Sequence, residues 1–363
     1  MTTNRRSGPH RPATIPDVAR EAGVSRSTAS RALADYGSVS PEARERVRAA
    51  AQKLGYRPNQ LARSMITGRT HTLGAVIADI QNPFFAGVTR GITDAARAAG
   101  YQILLANTDE DPAAERAAVK TLRDKHVDGL IVAPASTTDT GHLTAAHTGG
   151  CPVVLLDRRV PHLGLDSVTV DNHGAAQDAV RRLLAMGHRR IALVSLVGND
   201  ATDEPVDPGS TGLARIEGYR AALREAGVED TGTYLRTGAF HGQDPAVLAR
   251  GLLDSPAPPT AVFATDSLIA LGVLSAAREL GLRVPEDLSV ITFDDTDWAR
   301  AVRPRISVVA QPVQELGATA VQALISRVQG STQPPEDTTL PTEFIERESV
   351  ARATQREKGR KQG

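Results

Sequence analysis

The sequence is poor in the residues that cross-link a chain, hold structural metal or anchor it in a bilayer. Cys151 is the one cysteine in 363 residues, so neither an internal disulfide nor a CxxC zinc framework can form. Aromatic residues make up 3% of the chain, with a single tryptophan. No stretch approaches the roughly 18 consecutive apolar residues of a membrane span, and the N-terminus lacks the apolar core of a secretory signal. A cytoplasmic protein with no membrane contact is expected. The sequence has no GxxxxGK[ST], no GxGxxG after a strand, no GxSxG and no HExxH, which removes the commonest nucleotide, serine-hydrolase and zinc-protease chemistries. No cofactor, metal ligand or catalytic residue is assigned.

Net charge is missing as well, since 42 basic and 42 acidic side chains cancel. The cancellation is between unlike parts. Residues 1–70 hold 13 Lys+Arg against 5 Asp+Glu, whereas the rest of the chain holds 29 basic and 37 acidic residues. A compact cationic piece on an acidic body points to a polyanion, nucleic acid above all, as the partner of the first piece. The plain alternative is a solvated, Arg-rich helical surface.

Residues 1–13, with Arg5, Arg6, Pro9, Arg11 and Pro12, have no apolar period and read as a disordered basic arm. Residues 14–58 read as three short helices. Thr14 caps the first, with Pro16 in its first turn and Asp17 facing its N-terminus, and Gly23 ends it. Ser25 caps the second, over 26–34; Ser40 followed by Pro41 and Glu42 opens the third, which runs to Leu54. Pro58 separates this unit from a weak helix and linker over 59–70, with Gly68 near its end. From Leu73 apolar strands alternate with amphipathic helices, the last such strand being Leu288–Phe293, and the pattern restarts after Ser167. That rhythm predicts parallel sheets covered by helices. About 270 residues exceed one comfortable core, so residues 71–350 are expected to form two similar subdomains with a cleft between them. Residues 196–210 read as a mobile loop, and 351–363 as a disordered tail.

The apolar positions of the first two helices are Val18, Ala19, Ala22, Val24, Ala29, Ala32 and Leu33. Small residues let two helices cross closely through a short turn. The second helix then offers Arg26, Ser27, Ser30 and Arg31, side-chain types that meet base edges and phosphates in a major groove. A generic three-helix bundle is the alternative. The run from Thr14 to Leu33, followed by Val39-Ser-Pro-Glu-Ala-Arg-Glu-Arg-Val47, Leu54-Gly-Tyr-Arg-Pro-Asn59 and Leu61-Ala-Arg-Ser64, resembles the DNA-binding head of the LacI/GalR family of bacterial transcriptional regulators, and the similarity extends to about Val350. The resemblance implies an α/β chain with an N-terminal three-helix helix-turn-helix head and a two-subdomain, periplasmic-binding-protein-like parallel-sheet body. It implies a homodimer whose heads read an operator of two inverted half-sites in double-stranded DNA. Arg26 and Ser27 would read bases, with Ser30 and Arg31 beside them on the same helix, while Thr14 and Ser25 would hold phosphates. Asn59, Ala62 and Met65 would lie on a hinge helix that folds only on DNA, too short to be stable alone. Met65 stands where the family often has a leucine wedge.

In the body, Asp79-Ile-Gln-Asn-Pro-Phe-Phe85 joins the first strand to its helix, at the carboxyl edge where open α/β sheets bind ligands. Phe84 and Phe85 are two of only six phenylalanines; a core role is the bland reading. Asp157 and Arg158 follow one strand and Asp294 another, types suited to vicinal hydroxyls. The set is similar to that of the periplasmic ribose-binding proteins, which implies ligand roles for Asn82, Phe84, Phe85, Asp157, Arg158, Arg215, Phe240, Asp266, Asp294 and Gln311. At Asp266 that pattern usually has an amide, and a carboxylate loses two donors. The expected function is a repressor controlled by a small, pentose-like sugar. A purine- or nucleoside-responsive co-repressor-dependent regulator is the alternative; a sugar-transport protein conflicts with the basic head, and a glycosidase using Asp157 and Asp294 conflicts with a cleft of binding-protein type. His188 is expected to pack or hydrogen-bond at a strand entrance. The sequence after Val350 lacks the leucine heptads of a tetramer.

Overall fold

A computed structural model describes residues 13–34, 36–56, 69–198, 211–239 and 244–353. It divides into two compact units, residues 1–70 and 71–363. In the first, helices α1 (Ile15–Ala22), α2 (Arg26–Ala34) and α3 (Pro41–Lys53) enclose a small core of Val18, Ala19, Ala22, Ala29, Ala32, Val47, Ala50 and Ala51. Gly23 stops α1 in the left-handed conformation, φ 63°, which costs a residue without Cβ least. Ser40 accepts the Ala43 N–H at 3.2 Å to cap α3. Alanine predominates in this core because three short helices can bury only what lets their backbones come close.

The second unit holds two six-stranded sheets. Sheet one contains β1 (Thr72–Ile77), β2 (Gln102–Asn107), β3 (Gly129–Val132), β4 (Val153–Leu156), β5 (Asp166–Val170) and the late strand β11 (Asp337–Leu340), ordered β11-β5-β4-β3-β1-β2 and wholly parallel. Its helices are α4 (Pro83–Ala98), α5 (Pro112–Asp124), α6 (Gly141–Thr148) and the late α12 (Val313–Val328). Sheet two contains β6 (Ile191–Gly198), β7 (Leu235–Ala239), β8 (Ala261–Ala264), β9 (Ser289–Phe293), β10 (Ser307–Ala310) and β12 (Glu343–Ile345), ordered β12-β10-β9-β8-β6-β7, with only β12 antiparallel. With it go α7 (Asn172–Ala185), α8 (Thr211–Glu225), α9 (Pro245–Leu253), α10 (Ser267–Glu279) and the short α11 (Asp297–Ala301). Apolar clusters line both faces of each sheet, which is why β1, β3, β4, β8 and β9 read as almost continuous apolar runs.

Among the described residues the chain passes between the sheets three times: at Asp171, at Gln311–Pro312, and at 341–342. The last two passages were not foreseen. Helix α12 returns to sheet one, where Leu316, Ala320, Val321 and Leu324 complete its core. It seats against α4 through reciprocal glycines: a Cβ on Gly91 would overlap the Gln314 carbonyl oxygen, and one on Gly317 the Val88 carbonyl oxygen. Neither obstacle is a flexible side chain. Gly91→Ala is therefore expected to lower stability by about 1–3 kcal/mol, as overpacking does, whereas Gly141→Ala, with open space at its Cβ, should leave the thermal midpoint unchanged. Equal midpoints for the two variants would refute this packing.

Two other expectations need correction. Strand β6 continues to Gly198, because its ladder with β7 carries through Leu196 and on to Gly198, so 196–198 are strand and only 199–210 lie outside the described residues. The segment 351–353 is held to the body: Ala351 N–H donates to Ser289 Oγ at 3.1 Å and Ala353 N–H to the Met186 carbonyl at 2.9 Å. Residues 1–12, 57–68 and 354–363 are outside the described set.

Candidate functional site

The head is built so that one face of α2 is committed inward. Ala29 and Ala32 are buried, while Ser25, Arg26 and Ser27 are exposed and Ser30 and Arg31 half-buried. Ser25 Oγ accepts the Thr28 N–H at 3.0 Å and meets the Ser27 and Thr28 hydroxyls at 2.9 and 2.8 Å, an N-cap that fixes where the helix starts. The Arg31 Nε–H donates to the Ser27 carbonyl at 3.3 Å, laying its stem along the helix. The Thr14 hydroxyl donates to Asp17 Oδ2 at 2.6 Å and its N–H to the same oxygen at 3.0 Å. Asn59, Ala62 and Met65 lie outside the described residues.

In the body the candidate ligand residues come together. Asn82, Phe84, Phe85, Asp157, Arg158, Arg215, Asp266, Asp294 and Gln311 all line one cavity of about 60 Å³, although they are drawn from both subdomains. Phe240 lies outside the described residues. The positions follow from the topology, because carboxyl ends of parallel strands collect the loops between strand and helix. Asp157 follows β4 and Asp294 follows β9, and both adopt the left-handed backbone, φ 67° and 72°. Each then donates its N–H to the neighbouring strand, Asp157 to Val168 O and Asp294 to Val309 O, both at 2.9 Å. Backbone strain at two equivalent strand ends is the kind of cost that accompanies a functional constraint.

The side chains are unequally occupied. Asn82 accepts the Phe84 N–H at 3.0 Å and so caps α4, leaving its amide nitrogen for the cavity. Phe84 and Phe85 meet edge to face, centroids 5.0 Å apart, and belong to the core of sheet one while also lining the cavity. Arg158 is bound by Glu110, with 2.6 Å between Nη1 and Oε2, and by the Pro134 carbonyl, also at 2.6 Å. Arg215 Nε–H donates to Asn172 Oδ1 at 2.8 Å and Nη1 to the Thr265 carbonyl, and its guanidinium lies 3.7 Å from the Phe293 ring centroid. Asp266 Oδ1 accepts the Leu268 and Ile269 N–H groups, both at 2.8 Å, capping α10. Gln311 Nε2 donates to Asp294 Oδ1 at 2.7 Å.

Burial dominates the titration of these groups. It pushes the Asp294 carboxyl up to about 6 against the pull of Arg215 and Gln311. It raises Asp157 and Asp266 too, and lowers Arg215 from the usual guanidinium range. Glu110, Asn172 and Thr265 were not singled out from the sequence. Glu110 sits in a polar loop at φ 58°, and its partner is 48 residues away, so no local pattern marks it. A larger open hollow of about 1060 Å³ adjoins the cavity through Asp157, Arg158 and Thr211.

Elsewhere His188 is buried, with Nδ1 2.8 Å from Thr260 Oγ1 and Nε2 3.0 Å from the Ala351 carbonyl, a packing role as expected. Burial pushes the Cys151 thiol up to about 11, far from a reactive thiolate. Among the described residues no helix is long and apolar enough to cross a membrane.

Comparison with known proteins places both units. Residues 14–59 match the model of the bacterial regulatory proteins, lacI family, and residues 180–350 that of a periplasmic binding protein-like domain. The chain is 35% identical to catabolite control protein A of Priestia megaterium over 337 residues, 93% of this chain and 99% of that protein. Among solved structures it is similar to the transcriptional regulator CelR–cellobiose complex, with TM-score 0.68, 33% identity and coverage of 93% and 100%. It is also similar to the lac repressor dimer bound to operator and the anti-inducer ONPF, with TM-score 0.81, 26% identity and coverage of 94% and 100%.

Proposed function

The chain belongs to the lacI family of bacterial regulatory proteins, and from that premise we propose that it is a repressor whose operator affinity is set by a small polyhydroxylated ligand, of pentose size, in the cleft of its body. The observation that carries the reading is the cavity itself: nine side chains for which the resemblance to ribose-binding proteins implies a ligand role line one space between two subdomains. Acceptors, guanidiniums and aromatic rings in one small cavity suit a sugar ring better than a flat heterocycle. The cellobiose in the CelR complex supports a carbohydrate, and the operator in the lac repressor complex supports duplex DNA as the partner of α2.

Three chain passages join the subdomains, so a ligand held by both halves changes the angle between them. A ligand that prefers one angle shifts the population of that state, and coupling to DNA binding is typically about 1–3 kcal/mol. Asn59, Ala62 and Met65 are assigned to the segment that orders on the duplex. For the homodimer, the body exposes Ile80, Leu104 and Leu105 on and beside the edge strand β2, and Val247, Leu268 and Leu271 on α9 and α10. Apolar side chains on an open sheet edge need covering.

The test is fluorescence anisotropy on duplexes selected from random DNA, repeated with pentoses and nucleosides. A pentose should shift the operator Kd by roughly 5- to 150-fold. Binding without sequence selectivity would end the repressor reading, and a Kd that no pentose moves would end the effector reading. Within the same assay Arg26→Ala should weaken binding by roughly 5- to 150-fold, selectively at one base position, as the loss of a bidentate guanine contact does. Uniform weakening on all duplexes would show that Arg26 touches phosphate alone.

A further inference from the structure

The charges lining the cleft do not balance. Among the described residues the cavity is lined by four carboxylates, Glu110, Asp157, Asp266 and Asp294, and by two guanidiniums, Arg158 and Arg215. Residues 199–210 and 240–243 contain no lysine or arginine, so they add neither of these cations. Glu110 holds Arg158 in a buried, two-pronged pair. Arg158 Nε lies 3.9 Å from Asp157 as well, which leaves Arg215 to face Asp266 and Asp294, and it already donates to Asn172 and Thr265.

Several acceptors of the site are also left open. The Asp157 carboxylate, 7% exposed, accepts no hydrogen bond from a described residue, and its paired cation, Arg158 Nε, is 3.9 Å away. Asp266 spends one oxygen on its helix and Asp294 one on Gln311, and the other oxygen of each has no hydrogen-bond donor among the described residues. Gln311 Oε1 is buried and unpartnered. A buried acceptor without a donor, as at Gln311 Oε1, is costly, and a desolvated carboxylate short of cations more so. A hydroxyl supplies one donor and no charge; an ammonium supplies three donors and the missing positive charge.

We propose that the ligand of this cleft carries a cationic nitrogen: it is an amino-substituted polyol of monosaccharide size, whose ammonium is met by Asp266 and Asp294. The inference rests on the polyol reading given above and narrows it. Sugar phosphates and sugar acids are disfavoured, since each would bring a further negative charge to an already anionic, buried surface.

Isothermal titration of the full chain at pH 7.5 with matched probes tests it: ribitol against 1-amino-1-deoxyribitol, glucose against glucosamine, galactose against galactosamine, with ribose 5-phosphate and gluconate as anions. In at least one pair the amine should bind 10-fold or more tighter than its neutral partner. Asp266→Asn and Asp294→Asn, which keep the caps and shapes, should each cut that ratio at least 5-fold. Glu110→Gln, which releases Arg158, should cut it as well and should strengthen gluconate. The inference is overturned if no amine is preferred, if the preference survives both aspartate variants, or if an anion binds tightest. A neutral polyol that binds best and moves operator affinity would overturn the charge inference while leaving the regulator reading intact. Silence of the whole panel would overturn the polyol reading and the inference together.

Discussion

Arg215→Met is expected to lower the stability of the body by about 3–5 kcal/mol at pH 7.5, the usual cost of removing one partner from a buried charge cluster. Methionine preserves an unbranched apolar stem in the space left by the arginine. What disappears is the guanidinium, with its bonds to Asn172 Oδ1 and the Thr265 carbonyl and its seat over Phe293. Asn172, buried at the start of α7, loses a donor and Thr265 O another. The larger effect is electrostatic: Asp266 and Asp294 lose the cation that opposes their desolvation, and Asp157 keeps Arg158 but loses the weaker of its two. They respond by taking up protons, so the destabilisation should shrink as the pH falls from 7.5 to 5. Urea midpoints of parent and variant at both pH values check this. A loss under 1 kcal/mol, or one that does not depend on pH, would mean that Arg215 only packs.

Arg215 also shows what was legible in the sequence. Its candidacy came from a local resemblance, Arg-x-Glu-Gly-Tyr on a helix, and the helix brings it to the cavity because α8 follows a parallel strand. Asp157 and Asp294 were legible for the same reason, as acids placed directly after apolar runs. The head was legible from caps and small residues, and the expected 26–34 helix coincides with α2. What escaped was non-local. The strands Asp337–Leu340 and Glu343–Ile345 are three or four residues long and half polar, and only pairing with distant strands makes them strands. Leu235–Ala239 carries Arg, Thr and Gly in an edge strand, where burial demands little. Helix α12 did carry a signal, since Leu316, Ala320, Val321 and Leu324 recur at helical spacing; its return to sheet one could not be read from that period. Glu110 is the sharpest case. Nothing near it in sequence marks it, yet by occupying Arg158 it changes the charge of the site.

That charge makes the site a proton-linked one. The Asp294 carboxyl, held at about 6 rather than 3.8, binds its proton more tightly in the folded chain than in the unfolded one. Its contribution is therefore a destabilisation that is fully present above about pH 6, is relieved as the pH falls through 6, and is absent below about 4. The shift corresponds to about 3 kcal/mol. Asp294→Asn removes the titration while keeping an amide oxygen for Gln311 and a residue type that tolerates φ 72°. The variant should be more stable than the parent at pH 7.5, by up to about 3 kcal/mol, and the two should converge near pH 4. A difference in denaturation midpoint that stays constant from pH 4 to 7.5 would show that Asp294 titrates as an ordinary carboxylate. Binding should follow the same linkage in reverse: a ligand that donates to Asp294 favours the ionised form, so saturating the cleft at pH 5.5 should release protons, measurable as a dependence of the binding enthalpy on the ionisation enthalpy of the buffer.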